Sequence, residues 1–312
     1  MSYPWLVSVE REFEERLRGG RLAHAFLLSG PPDCGKTALA ADFVAAALCD
    51  RESWPACGEC RSCQLLGSGA HPDRYLLTFE EHPKTGKLRT VIITDQVRRL
   101  IESLQLTTTI SRRKAALIHP AESMMINAAN ALLKTLEEPP GDSMILLVSH
   151  NPDRLPVTIR SRCQNLHVRP PERTASLEWL RGASDADAGE AEAALDAAAG
   201  SPLRALRMLR DGTIGQYHAL GQALDALRRG RAEVGQAMAE TAEIDPELLW
   251  IWLSLRCAQE ARDSAGTNLA RPLSELQMEA DRSRSLLHTP VRKDFLLQDW
   301  LIQWARLSAA GG

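Results

Sequence analysis

Residues 30–37 read GPPDCGKT, and the stretches on either side of them decide what this chain can fold into. AHAFLLSG, before it, is short and apolar, as a buried strand should be. KTALAADFVAAAL, after it, is rich in alanine and leucine and predicts a helix opening at Lys36. A strand, the spacing G-x-x-x-x-G-K-[ST] and a helix together make a phosphate-binding loop. In such a loop Gly30 and Gly35 let backbone N–H groups face a phosphate, Lys36 reaches toward the β and γ phosphates, and the Thr37 hydroxyl can bind magnesium. The helix N-terminus adds its own partial positive charge.

The following residues continue the alternation that a parallel sheet with crossover helices requires. RYLLTF predicts a strand and TDQVRRLIESLQL a helix with Thr94 or Asp95 as its cap. Then come the strand RKAALI, the helix NAANALLKTLEE stopped by Pro139 and Pro140, and the strand MILLVSH. The expected class is an α/β nucleotide-binding domain over residues 1–168. Beyond it the strand signal fades. Alanine-rich short helices, with Gly200 and Pro202 marking an end and a start, predict a small helical domain over 169–210. PELLWIWLSLRCAQEAR and DFLLQDWLIQWARLSAA predict a second all-α domain over 211–312, with Trp300 and Trp304 one turn apart and packed in its core.

A chain that hydrolyses ATP needs an acidic residue at the end of the KAALI strand to hold magnesium against the phosphates. Here that place holds His119 and Pro120. Magnesium prefers hard oxygen ligands, and neither residue offers one. Glu122 is the one nearby carboxylate that could reach in from a loop. ATP or ADP can therefore be held, while turnover is not expected.

Cysteine spacing points to a second site. Four of the seven cysteines, Cys49, Cys57, Cys60 and Cys63, fall within fifteen residues as C-x7-C-x2-C-x2-C. Tight all-cysteine spacing matches structural zinc, which takes four thiolates in a tetrahedron and leaves no open position. Cys34, Cys163 and Cys257 read as small packing residues. With a net charge of −3, the surface as a whole is not a nucleic-acid footprint, so DNA contact is expected to be local or made through partners. The basic run SRRK at 111–114 reads as a solvated loop before a strand. No apolar run approaches the roughly 18 residues of a membrane span, and the N-terminus carries acidic residues where a signal peptide is apolar. A cytoplasmic location without a membrane partner is expected.

NALLKTLEEPP at 130–140 and RLPVTIRSRC at 154–163 resemble the bacterial clamp-loader ATPases of DNA polymerase III, within the AAA+ class. YPWL near the start, HAFLLSG, the four-cysteine insertion and HPD at 71–73 fall in the same order as in that family. The resemblance implies an AAA+ domain with a zinc insertion at 49–63, a helical lid and a C-terminal helical collar. It also implies that Ser161, Arg162 and Cys163 form the motif whose arginine acts as a finger, in trans, on ATP bound by a neighbouring subunit. Partners would be gamma/tau motor subunits and a delta subunit in a five-subunit ring. The sliding clamp and primed DNA would be reached through that complex, part of a DNA-directed DNA polymerase and hence of a nucleotidyltransferase. His119-Pro120 departs from the motor subunits, which carry Asp-Glu there. Leu203 stands where they place a sensing arginine, with Arg204 one position later. A helix turns about 100° per residue, which aims that guanidinium elsewhere. Both departures imply a member that does not turn over ATP itself. The alternative is an active motor-type ATPase using Glu122.

Overall fold

Every position of β1 (Ala25–Ser29) is buried, the signature of a strand covered on both faces. The computed structural model describes residues 3–20, 22–287, 289 and 291–307, and it divides into two compact units, Met1–Ala175 and Ser176–Gly312. In the first unit β1 is joined by β2 (Arg74–Leu77), β3 (Lys114–Ile118), β4 (Ser143–Ser149) and β5 (Gln164–His167). All pairings are parallel, in the order β2-β3-β4-β1-β5, so each connection must cross a face of the sheet.

Successive residues of a strand point to opposite faces, and here they feed two separate cores. Phe26 and Leu28 of β1, with Leu146 and Val148 of β4, pack beneath α1 (Val7–Arg18) and α2 (Lys36–Leu48). Phe13 and Phe43 stack there, and Trp54 lies edge-on to Phe13. Each of the two fully buried phenyl rings contributes about 1.5–3 kcal/mol. Leu27, Ile118, Ile145 and Leu147 face the other way, against α4 (Thr94–Gln105) and α5 (Ile126–Glu137). The expected parallel sheet with crossover helices is therefore the fold of this unit. α3 (Arg61–Gly67) and α6 (Val157–Arg160) are short and carry site residues.

One local expectation is corrected, and one strand was not expected at all. Thr94 and Asp95 do not cap α4. They lie in its first turn, and Gln96 does the work by accepting from the Ile93 backbone N–H (3.0 Å) while donating to the Thr78 carbonyl (2.9 Å). β5 had no signal of its own, because only Leu166 of its four residues is buried. Its place is made by pairing with β1.

The second unit is all helix among the described residues: α7 (Arg173–Ala183), α8 (Ala188–Ala197), α9 (Pro202–Asp211), α10 (Thr213–Arg228), α11 (Val234–Glu240), α12 (Pro246–Asp263), α13 (Ala270–Ser285) and α14 (Lys293–Arg306). Asp245 caps α12 by accepting from the Glu247 and Leu248 N–H groups, with Pro246 at the first helical position. Trp300 and Trp304 are fully buried and stacked at 5.4 Å, and their indole N–H groups donate to the carbonyls of Leu276 and Leu224. Packing with a satisfied polar tip is their role here. No helix among the described residues is long and apolar enough to cross a membrane.

Candidate functional site

The carboxyl ends of β1, β3 and β4 open on one edge of the sheet, where ligands of open α/β folds bind. From β1 the chain enters the phosphate loop. Gly30 has φ +151°, and a Cβ there would lie 2.4 Å from the Val168 carbonyl oxygen, so only glycine fits against the strand neighbour. Gly35 has φ +89°, and a Cβ on it would strike the ring of Tyr3. Tyr3 stacks on Trp5 at 5.3 Å, and the Trp5 indole N–H donates to the Cys34 carbonyl (2.8 Å). The N-terminal aromatics thus brace the loop from outside.

Lys36 opens α2 and is buried, with its ammonium donating to the Pro31 carbonyl and lying 3.6 Å from Cys34 Sγ. Burial pulls its pKa down, opposed by Cys34. Thr37 follows on the exposed side. Its hydroxyl lies 3.3 Å from Nε2 of His119, at the end of β3. The His119 ring meets that of His150, just past β4, edge to face at 5.2 Å. Burial lowers the pKa of both, and that of His150, with Lys36 nearby, falls to about 4. Neutral imidazoles therefore fill the floor beside the loop.

Glu122, on a 3₁₀ turn at Ala121–Ser123, accepts from the His150 backbone N–H through Oε1 (2.9 Å). Its other oxygen is enclosed without a hydrogen-bond partner. The donor set does not fit an octahedral magnesium shell. The Thr37 hydroxyl faces an imidazole, and Glu122 braces a backbone turn, while the Asp33 carboxylate of the loop lies near Lys36 and His150. His150 could not be found from sequence, since it is brought in by strand order rather than by proximity in the chain.

The four cysteines converge. Cys49 follows α2 directly, Cys60 caps α3, and Cys63 lies within it. All four sulfur atoms lie within 4.8 Å of one another, with Cys49–Cys60 at 4.0 Å and Cys57–Cys63 at 3.9 Å. A zinc tetrahedron with bonds of about 2.3 Å has edges of about 3.8 Å, so the set fits. The N–H groups of Cys60 and Cys63 point at the sulfurs of Cys57 and Cys60 (3.4 Å each). Burial opposes a charge on Cys49, yet backbone N–H groups draw its pKa down to about 6. Burial and the neighbouring thiols push that of Cys63 up to about 12. Four crowded thiols cannot all ionise without a cation, and a metal removes that conflict.

HPD at 71–73 holds this module to the sheet. His71 Nδ1 accepts from the Asp73 N–H (3.1 Å), which leaves Nε2 protonated toward the hydroxyls of Ser62 (2.7 Å) and Ser111 (3.0 Å). Both serines also donate to the Leu48 carbonyl. Burial works against the Asp73 carboxylate, but three N–H groups, of Ser111, Ile110 and Thr109, keep its pKa low. Ser62 carried no sequence signal, and the SRRK run at 111–114, expected as a solvated loop, has Ser111, Arg113 and Lys114 buried.

Arg162 stands apart from the phosphate loop in sequence, in the turn between α6 and β5. Its guanidinium donates through Nε to Glu137 Oε1 (2.6 Å), through Nη2 to the same oxygen, and through Nη1 to the Thr158 carbonyl (3.0 Å). Its side chain is 32% exposed. Ser161 caps back on the Thr158 carbonyl (3.2 Å), and Cys163 is buried, its thiol pushed up to about 12 by desolvation.

Residues 7–172 match the family described as DNA polymerase III, delta subunit. The chain is 38% identical over 310 residues to DNA polymerase III subunit delta' of Pseudomonas aeruginosa, covering 96% of this chain and 89% of that protein. With the subunit delta' of Escherichia coli it shares 34% identity over 223 residues, 71% of this chain and 65% of that one. The solved structure of a DNA polymerase III gamma subunit-related protein from Thermotoga maritima aligns over 97% of this chain and 99% of its own, at 15% identity and a TM-score of 0.49.

Proposed function

The chain belongs to the DNA polymerase III delta-subunit family, among proteins named subunit delta', and on that premise we propose that it is a clamp-loader subunit that does not hydrolyse ATP. In this reading it joins gamma/tau motor subunits and a delta subunit in a five-subunit ring that places the sliding clamp on primed DNA. Residues 1–168 would serve as the AAA+ domain, 169–210 as the lid and 211–312 as the collar.

The observation that carries the proposal is His119. A complete phosphate loop faces an imidazole where a magnesium ligand belongs, with Nε2 3.3 Å from the Thr37 hydroxyl. Phosphoryl transfer depends on a metal to neutralise developing charge. What this chain adds to hydrolysis would be Arg162, offered to a neighbour's γ-phosphate.

Mixing the purified chain with motor and delta subunits, followed by size-exclusion chromatography and a clamp-loading assay on primed DNA, tests the assignment. Co-elution and loading that requires this chain are expected. A chain that neither co-elutes nor alters loading would refute it.

For the chain alone, ATP or ADP is expected to bind measurably by calorimetry, with no steady hydrolysis. Lys36→Ala should weaken binding roughly tenfold to a hundredfold, the usual worth of a hydrogen bond to a charged group. Steady turnover abolished by Lys36→Ala would instead identify a motor subunit.

A further inference from the structure

α5 ends against local electrostatic preference. Glu137 is its last residue and Glu138 follows, so two carboxylates stand where a helix already presents unpaired carbonyls and partial negative charge. Lys134 is the one basic residue of that last turn. A surface ion pair between a half-exposed glutamate and a third-exposed arginine adds little to folding stability. Its geometry is better suited to another purpose.

The Arg162 guanidinium is gripped from two elements at once. Glu137 of α5 takes the Nε and Nη2 edge, while the Thr158 carbonyl of α6 takes Nη1. Nη2 keeps a second N–H. An arginine on the surface otherwise samples many rotamers, and a planar fork held on one edge is ordered before it meets a ligand. Arg160, two residues earlier, is engaged separately by Asp153 (2.9 Å) and does not share this grip.

We propose that Glu137 is a positioning residue for Arg162, holding the guanidinium ready for the polyphosphate of an adjoining subunit. This rests on the reading of Arg162 as a finger. Glu137 touches no nucleotide itself, and its effect passes through the arginine.

The test uses the reconstituted complex with clamp and primed DNA, measuring stimulated ATP hydrolysis for the unmodified chain, Glu137→Ala, Glu137→Gln, Arg162→Ala and the double variant. The part of the rate that Arg162→Ala removes serves as the scale. Glu137→Ala is expected to remove more than half of that part, with kcat falling and KM for ATP unchanged. Glu137→Gln, whose amide oxygen still accepts from Nε, should recover much of it. The double variant should match Arg162→Ala, since residues acting through one group are not additive. Should Glu137→Ala fail to co-elute with the complex, Glu137→Gln decides by the same measure.

If Arg162→Ala slows hydrolysis while the Glu137 variants run at or above the unmodified rate, the positioning role is refuted and the finger stands. A double variant slower than Arg162→Ala would show that Glu137 acts elsewhere, which also overturns the proposal. If Arg162→Ala changes nothing, the finger reading fails and the proposal fails with it.

Discussion

Arg162→Ala is expected to leave this subunit folded and incorporated in the ring, yet to silence hydrolysis at one neighbouring site and slow clamp loading. Charge builds on the γ-phosphate oxygens during transfer, and in GTPases a guanidinium supplied from a partner accounts for roughly 10³ to 10⁵ in rate. Since other sites would keep their own arginines, total hydrolysis should fall only in part. Folding should hardly notice the change, because exposed pairs such as Arg162–Glu137 are worth about 1 kcal/mol or less. Arg162→Lys should rescue poorly. An ammonium cannot bond Glu137, the Thr158 carbonyl and a phosphate together in the geometry of a planar fork. Steady-state hydrolysis and loading rates of the reconstituted complex provide the measurement. Unchanged rates for Arg162→Ala would reduce Arg162 to a surface residue.

Metal removal should have the second large effect, confined to one region. About one zinc per chain is expected by metal analysis of protein prepared without chelator. Finding none would remove the metal from the account. Structural zinc contributes about 10 kcal/mol or more in small peptides, where it is the main source of order. In this chain the cysteine module has a second anchor, the Ser62–His71–Ser111 cluster on the Leu48 carbonyl. Chelation, or Cys57→Ser, should therefore loosen residues 49–63 while the sheet survives. Hydrogen exchange should rise in that segment and α3 and stay low in β1 and β4, which are buried at every position. Loss of protection throughout the first unit would show that the metal holds the whole unit.

Features that depend on neighbours in the chain were legible in the sequence. β1, α2, β3, α5 and β4 were readable because apolar runs, alanine-rich stretches and the paired prolines act over a few residues. The phosphate-loop spacing and the cysteine spacing were readable for the same reason, and so was the missing carboxylate at the end of β3. β5 was not, because three polar residues in four become a strand only when β1 offers a free edge. Thr94 and Asp95 looked like caps, but Gln96 found the Thr78 carbonyl just past β2, a partner no short window includes.

The sequence by itself determined the α/β class, the phosphate loop without its acid, and the grouping of four thiols, since each follows from composition and spacing within one short segment. Only the tertiary structure decided that His150 closes over His119, that Gly30 must be glycine because Val168 lies against it, and that Glu137 grips Arg162 twenty-five residues away. The first two contacts arise from the parallel strand order, in which carboxyl ends far apart in the chain meet at one edge, and the third lies at the opposite edge, where α5 ends and β5 begins.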